Sequence, residues 1–295
     1  RSAVTGVLAA EEMAWGDLAG TLAVMTPGLF AMPILLAGSE EQKQEWIPPV
    51  IEGDWPKFSG ALVEPSFDFD PNELKTTATR EGEDFVLNGV KTMVPFAAGA
   101  EALVVYASLN GATKGFIVPG ASDGLSVSEP EKLMSLNALP LYRVTLENVK
   151  VPQSHILEGD FAPILAAMRV ANAALAVGVA NGALEYARDY AKERQAFGVK
   201  IAQKQAIAFM LAEMATEIEA IRLLTWEAAW MLDAGKEDAF THAYLAATGA
   251  ADMTMMVTDR AVQVLGGHGY IREYPVEMWM RNGRGFATFT GLAIV

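Results

Sequence analysis

The chain has 295 residues, 52% hydrophobic and 20% charged, which argues against disorder and leaves enough apolar residues for a large core. A formal net charge of −14 argues against nucleic acid or an anionic membrane surface as partner, because both require a basic face. With no cysteine, disulfides, thiolate nucleophiles and Cys-ligated metals are excluded, and a reducing, cytoplasmic location is expected.

From Val4 to about Gly53 the apolar residues recur at helical spacing, as in Val4, Val7, Leu8 and Trp15. The uncharged stretch Leu18 to Ser39 is interrupted by Pro27 and Pro33, so it is read as a buried, broken helix and not as a membrane span. A new helix starts after Gly38, with Ser39 as N-cap and Gln42 at the capping-box position, and is expected to stop near Pro48-Pro49. No signal peptide is visible, and the start at Arg1 instead of Met suggests a fragment.

Between about Asp54 and Gly159 short apolar or β-branched runs alternate with Gly, Pro, Asn and Asp. The expected strands are Phe58–Val63, Lys75–Arg80, Phe85–Leu87, Ala102–Ser108, Gly115–Val118, Leu125–Val127 and Arg143–Leu146, with hairpin-type turns at Asn88-Gly89 and Asn110-Gly111. Strands at this spacing without intervening helices predict an antiparallel barrel or sandwich. Helical periodicity returns from Phe161, predicting helices near 161–194, 203–234, 238–265 and 274–284, with Gly235 at a C-cap position. The expected fold is therefore α+β in the order α–β–α. It comprises N-terminal helices (1–53), a middle β-domain (54–159) and a C-terminal four-helix bundle (160–295).

Two segments of the bundle have the chemistry to hold an anionic cofactor. Arg194 ends a helix and is followed by Phe197-Gly198. A guanidinium there can clamp a diphosphate bidentately while the ring packs on the ligand, or it can be an exposed arginine beside an aromatic anchor. Gln263, Gly266 and Gly267 close the third bundle helix. Glycines without Cβ admit a ligand close to the backbone, or they form an ordinary C-cap.

Several blocks, spread over nearly the whole chain, resemble the acyl-CoA dehydrogenase family. They are Gly38-Ser39-Glu40-Glu41-Gln42-Lys43, Val63-Glu64-Pro65, Leu87-Asn88-Gly89-Val90-Lys91, Val149-Lys150-Val151-Pro152, the run from Tyr190 through Arg194 to Phe197-Gly198, and Gln205. The most specific runs from Gln263 through Gly266-Gly267-His268-Gly269-Tyr270 to Glu273-Tyr274-Pro275-Val276-Glu277. The resemblance implies FAD held between subunits of an oligomer, a dimer of dimers. It also implies removal of two hydrogens from the Cα–Cβ bond of an acyl-CoA and electron exit through an electron-transferring flavoprotein. It assigns Arg194, Phe197, Gln205, Gln263, Gly266 and Gly267 to the FAD of a neighbouring subunit. It makes His268 a turn residue rather than a base. Against the family, this chain lacks the earliest N-terminal helices and the last C-terminal one.

The chain also departs from the family. Val63 replaces a threonine, Phe69 a serine near the diphosphate, and Met93-Val94-Pro95 the Trp-Ile-Thr or Trp-Ile-Ser strand beside the isoalloxazine. Pro95 has neither hydroxyl nor N–H to offer. No catalytic base is identified. The position of one family branch's glutamate is Thr290, followed by Gly291-Leu292, and that of the other branch is Met168 before Arg169. Asp70, Asp68 and Glu64 are read as loop or structural carboxylates. By this resemblance, residues the family uses to hold a subunit's own flavin are mostly changed, whereas those offered across the interface are kept. Some steroid-degrading members of the family pair a catalytic subunit with a partner lacking the base, and this chain resembles such a partner. The two other functions considered are a self-sufficient flavoenzyme with a relocated base and a non-enzymatic acyl-CoA-binding scaffold.

Overall fold

The computed structural model describes residues 2–52, 57–286 and 290–295. The boundary expected at Gly53–Asp54 falls outside them. The helices are α1 (Ala3–Gly16), α2 (Leu18–Met25), α3 (Gly28–Ala37), α4 (Glu40–Glu52), α5 (Phe161–Glu193), α6 (Gln205–Asp233), α7 (Ala239–Leu265) and α8 (Val276–Phe286). The strands are β1 (Phe58–Ala61), β2 (Thr77–Glu81), β3 (Asp84–Pro95), β4 (Ala102–Leu109), β5 (Ala112–Pro119), β6 (Leu125–Val127), β7 (Leu141–Pro152), β8 (Gln195–Ala196) and β9 (Val199–Lys200). The order helices, sheet, helices is the α–β–α arrangement expected.

The chain gathers into two compact units: Arg1–Thr21, Met134–Leu136 and Arg169–Phe289 in one, and Leu22–Leu133, Asn137–Met168 and Thr290–Val295 in the other. The first is the helical unit. There α1 leaves the N-terminal helices to join the C-terminal ones. Its buried face is Ala3, Val7, Ala10, Glu11 and Ala14, whereas Leu8 and Trp15, large apolar residues at helical spacing, are exposed. Small residues are buried because the backbones approach closely: a Cβ on Gly178 of α5 would lie 2.2 Å from the Glu11 carbonyl oxygen. Polar ties complete the join. Asp233, at the end of α6, accepts hydrogen bonds from the Ser2 hydroxyl and the N–H groups of Ala3 and Val4, which satisfies orphan donors of α1. Arg222 of α6 pairs with the buried Glu11 at 2.6 Å.

Gly178→Ala tests this packing. An added methyl cannot be accommodated by moving a side chain, because the obstacle is backbone. The overpacking cost, toward about 3 kcal/mol, exceeds the gain of about 1 kcal/mol from replacing a helical glycine. Chemical denaturation should show a lower midpoint, and an unchanged or higher midpoint would refute the close approach.

The second unit holds the seven-stranded sheet, ordered β1-β4-β2-β3-β7-β6, with β5 on the other side of β4. Most pairings are antiparallel as expected, but β1 and β2 both run parallel to β4. Asn110-Gly111 is the predicted tight turn, both residues having positive φ (53° and 83°) between β4 and β5. Asn88-Gly89 is not a turn. It lies inside the twelve-residue β3, at a register shift against β7, with Gly89 at φ 152° pressed against Thr76. An insertion in one strand opposite a continuous neighbour is a bulge, and the same dipeptide serves either purpose.

Two further expectations change in detail. The capping box of α4 forms, with Gln42 N–H on the Ser39 hydroxyl and Ser39 N–H on the Gln42 carbonyl oxygen, and the Gln42 amide also ties the carbonyls of Ser154 and Ile156. The helix nevertheless continues through Pro48 and Pro49 to Glu52. Both prolines and the residues whose carbonyls lose a donor, Gln44 and Glu45, face solvent, so water takes over the acceptors. The apolar stretch after Leu18 is broken as expected, α2 and α3 meeting at a 47° bend. Among the described residues α5 alone is long and apolar enough by itself to cross a membrane, but 83% of its apolar window is buried, as in the core helix of a bundle.

Candidate cofactor-contacting site

In the helical unit, α5 ends at Glu193, and Arg194 closes its last turn, its N–H bonded to the Tyr190 carbonyl at 2.8 Å. The Arg194 carbonyl then accepts from Ile201 N–H at 2.9 Å, which anchors the base of the β8–β9 hairpin. Phe197-Gly198 forms the hairpin tip with both φ positive (55° and 81°). That conformation turns the Phe197 ring outward, where it is 94% exposed, with the Lys204 ammonium 5.9 Å from its centroid. Gln205 is the first residue of α6 and is exposed. Arg194 is exposed too, and among the described residues its guanidinium has no hydrogen-bond or ion-pair partner. In a chain of net charge −14, the segment 188–204 carries Arg188, Lys192, Arg194, Lys200 and Lys204 against Asp189 and Glu193 only. It is a local anion-attracting surface.

The second segment caps α7. Gly266 N–H bonds the carbonyls of Gln263 and Val262, and Gly266 adopts φ 59°, ψ −130°, a region open to glycine. Gln263, Gly266 and Gly267 are exposed, and a Cβ built on either glycine would meet nothing within 4 Å. A ligand therefore has access to this backbone. Arg194 and His268 line one cleft of about 580 Å³ with Tyr186, Asp189, Tyr190, Glu193 and Tyr274. The structure thus joins Arg194 to the turn that follows Gly266-Gly267. Lys204, Tyr190 and Tyr274 were not singled out for this surface from the sequence. For Tyr190 the available signal was its place one helical turn before Arg194.

The positions expected to face a subunit's own cofactor lie in the sheet unit, where Val63, Pro95, Met168 and Leu292 are buried and Phe69, Met93 and Thr290 are half-buried. Val63 is buried and its carbonyl accepts from Thr92 N–H. Met93 sits at φ 56° in a second irregularity of β3, its N–H donating to a Glu131 carboxylate oxygen that also accepts from the Thr92 hydroxyl. Pro95 has no N–H, and its carbonyl is taken by Ser59 at 2.6 Å. Phe69 packs against the apolar core instead of presenting a polar group. Thr290 is followed by Leu292, Ala293, Ile294 and Val295, all buried, and Met168 is 1% exposed within the same core as Ile294.

The three nearby carboxylates are poorly suited to proton abstraction. Glu64 is buried and receives Lys75 N–H, Thr76 N–H and the Lys91 ammonium at 2.7–2.8 Å. Burial pushes its pKa up, but the Lys91 charge and these hydrogen bonds outweigh it and hold Glu64 below the ordinary value. Burial lowers Lys91 to about 8, with Glu64 opposing. Asp68 is held down to about 2 by the Ser66 hydroxyl and Lys75, and Asp70 caps Asn72 N–H in an exposed loop. For FAD, then, the helical unit presents free donors, open backbone and an exposed ring, whereas in the sheet unit Val63, Phe69, Met168 and Leu292 are apolar and the Met93 N–H and Pro95 carbonyl are already engaged.

Family models of the acyl-CoA dehydrogenase N-terminal, middle and C-terminal domains match residues 1–54, 59–149 and 162–293. The chain is 36% identical over 301 aligned positions to the caffeyl-CoA reductase-Etf complex subunit CarC of Acetobacterium woodii, covering 98% of this chain and 79% of that protein. It is 36% identical to the human mitochondrial short-chain specific acyl-CoA dehydrogenase over 94% of this chain and 70% of that one. A glutaryl-CoA dehydrogenase from Mycobacterium smegmatis, solved in complex with FADH2, superposes with a TM-score of 0.85 at 27% identity, covering 99% of this chain and 76% of that chain. The chain belongs to the acyl-CoA dehydrogenase family of flavoproteins.

Proposed function

We propose that this chain is the base-deficient subunit of a heteromeric, cytoplasmic acyl-CoA dehydrogenase and completes the FAD site of a catalytic paralogue. When bound, FAD exchanges a hydride with the Cα–Cβ bond of an acyl-CoA or its α,β-unsaturated counterpart. The paralogue supplies the carboxylate that moves the α-proton. Arg194 clamps the diphosphate, Phe197 covers the cofactor, Gln205 and Gln263 hydrogen-bond to it, and Gly266 and Gly267 let it approach the backbone. Electrons exchange with an electron-transferring flavoprotein, and the assembly is a dimer of dimers.

The observation that carries this reading is the asymmetry between the two units. Every residue assigned to a neighbour's FAD is exposed, and the Arg194 guanidinium is unengaged among the described residues. By contrast, Val63, Met168 and Leu292 are buried, and the Met93 N–H is consumed by Glu131. A subunit decaying after loss of activity would not keep one group and lose the other. Threonine at 290 is too weak a base to take an α-proton unaided at neutral pH.

Expressed alone, the protein should be colourless or carry well under one FAD per chain. Recovered with its catalytic paralogue it should bring the complex to one FAD per heterodimer, read from the flavin absorbance against protein concentration. A yellow, fully loaded homomer would overturn the proposal.

A further inference from the structure

We infer that His268 is a positioning residue that ties the Arg194 end of α5 to the Gly266–Gly267 turn, and so sets the geometry with which this subunit meets a partner's FAD. The inference rests on the reading of Arg194 given above.

Arg194 and the glycine turn lie more than 70 residues apart in the chain. The link is made by side chains. Tyr190 stands one helical turn before Arg194 and accepts its N–H on the backbone carbonyl at 2.8 Å. The Tyr190 hydroxyl lies 2.8 Å from Nδ1 of His268. The His268 ring stacks on Tyr274, centroids 4.8 Å apart and planes 6° from parallel, and Tyr274 meets Tyr190 edge-on at 6.3 Å. Three rings thus close a triangle with one hydrogen bond along one side. That hydrogen bond joins α5 directly to the residue after Gly267.

A bidentate guanidinium contact is sensitive to angle, and an anion held by both loops needs their separation fixed. Rings held by stacking and one directed bond have little rotational freedom, so the separation is set before the cofactor arrives. His268 itself touches no cofactor in this scheme.

The test uses the complex recovered by tagging this chain in its host, stripped of flavin and titrated with FAD. Tyr190→Phe and His268→Leu should each weaken FAD binding about three- to tenfold, the loss expected for one hydrogen bond. The double variant should be no worse than either single one. His268→Asn, whose amide reaches the place of Nδ1, should restore most of the affinity. In an Arg194→Ala background the two substitutions should have no further effect, because they act through the clamp. Tyr190→Phe removes a single oxygen and keeps the ring, so it remains informative if His268→Leu fails to fold. Unchanged affinity, losses that add in the double variant, or full losses without Arg194 would overturn the inference and leave the Arg194 reading intact. If Arg194→Ala itself leaves affinity unchanged, both fall.

Discussion

Arg194→Ala should weaken FAD binding by the complex by about one to two decades while this subunit stays folded. The substitution deletes a charge-assisted contact, worth about 1.5–3 kcal/mol for hydrogen bonds to charged groups. The folded state should tolerate it, because the side chain is exposed and among the described residues has no partner to leave behind. Arg194→Lys should restore only part of the affinity, since an ammonium returns the charge but not the planar fork. Raising the salt concentration should weaken FAD binding by both proteins, because the surrounding cations at Lys192, Lys200 and Lys204, present in each, act at long range. Flavin content and thermal melting measured side by side decide the matter. Unchanged occupancy with lowered melting would make Arg194 a structural residue.

The largest effect on stability should come from Lys91→Met. The ammonium is 0% exposed, 2.8 Å from Glu64 and 3.1 Å from the Leu62 carbonyl, so its removal leaves a buried carboxylate without its counter-charge. Breaking a buried pair in this way costs about 3–5 kcal/mol. Adding Glu64→Gln should recover part of the loss, because an amide carries no charge and its carbonyl still accepts from Lys75 or Thr76.

The pH dependence follows from the lowered pKa of Glu64. A carboxylate with a depressed folded pKa stabilises fully above the unfolded value of 4.5 and loses that contribution as pH falls through the folded one. Wild-type stability should therefore fall on acidification below about 4.5. In Lys91→Met burial is opposed only by hydrogen bonds, so Glu64 takes up its proton at higher pH and the acid limb moves upward. Denaturant midpoints measured from neutral to acid pH read both effects, and an acid limb unmoved by the substitution would rule out the pair as its source.

Much of the architecture was legible because its causes are local. The Ser39–Gln42 capping box, the Asn110-Gly111 turn and the Gly235 cap each need only a few neighbouring residues, and each forms. At Gly235 the cap is closed by Lys236 N–H on the Met231 carbonyl. The three long helical runs of the second half and the shorter fourth were readable from period alone, within two residues at each end. The same reasoning failed at Asn88-Gly89. The dipeptide permits a turn, but β2 pairs with β3 up to Asn88, and β7 pairs with it on both sides of the dipeptide and carries the strand through to Pro95. On α1 the helical spacing was legible, but not which face is buried: Val7 is buried with Ala3, Ala10, Glu11 and Ala14, while Leu8 and Trp15 are exposed.

By itself, then, the sequence determined the order of elements, the acyl-CoA dehydrogenase family and the set of residues kept or lost around its cofactor. These depend on short motifs and on residue chemistry at matched positions. Only the tertiary structure decided what those residues face. It joined α1 to the distant α6 through Glu11 and Arg222, buried Lys91 on Glu64, closed Met93 against Glu131 and set Tyr190 on His268. Each of these contacts joins groups far apart in the chain. No local propensity encodes such a pairing, because it is chosen only when folding removes both groups from water and makes each the other's best remaining partner.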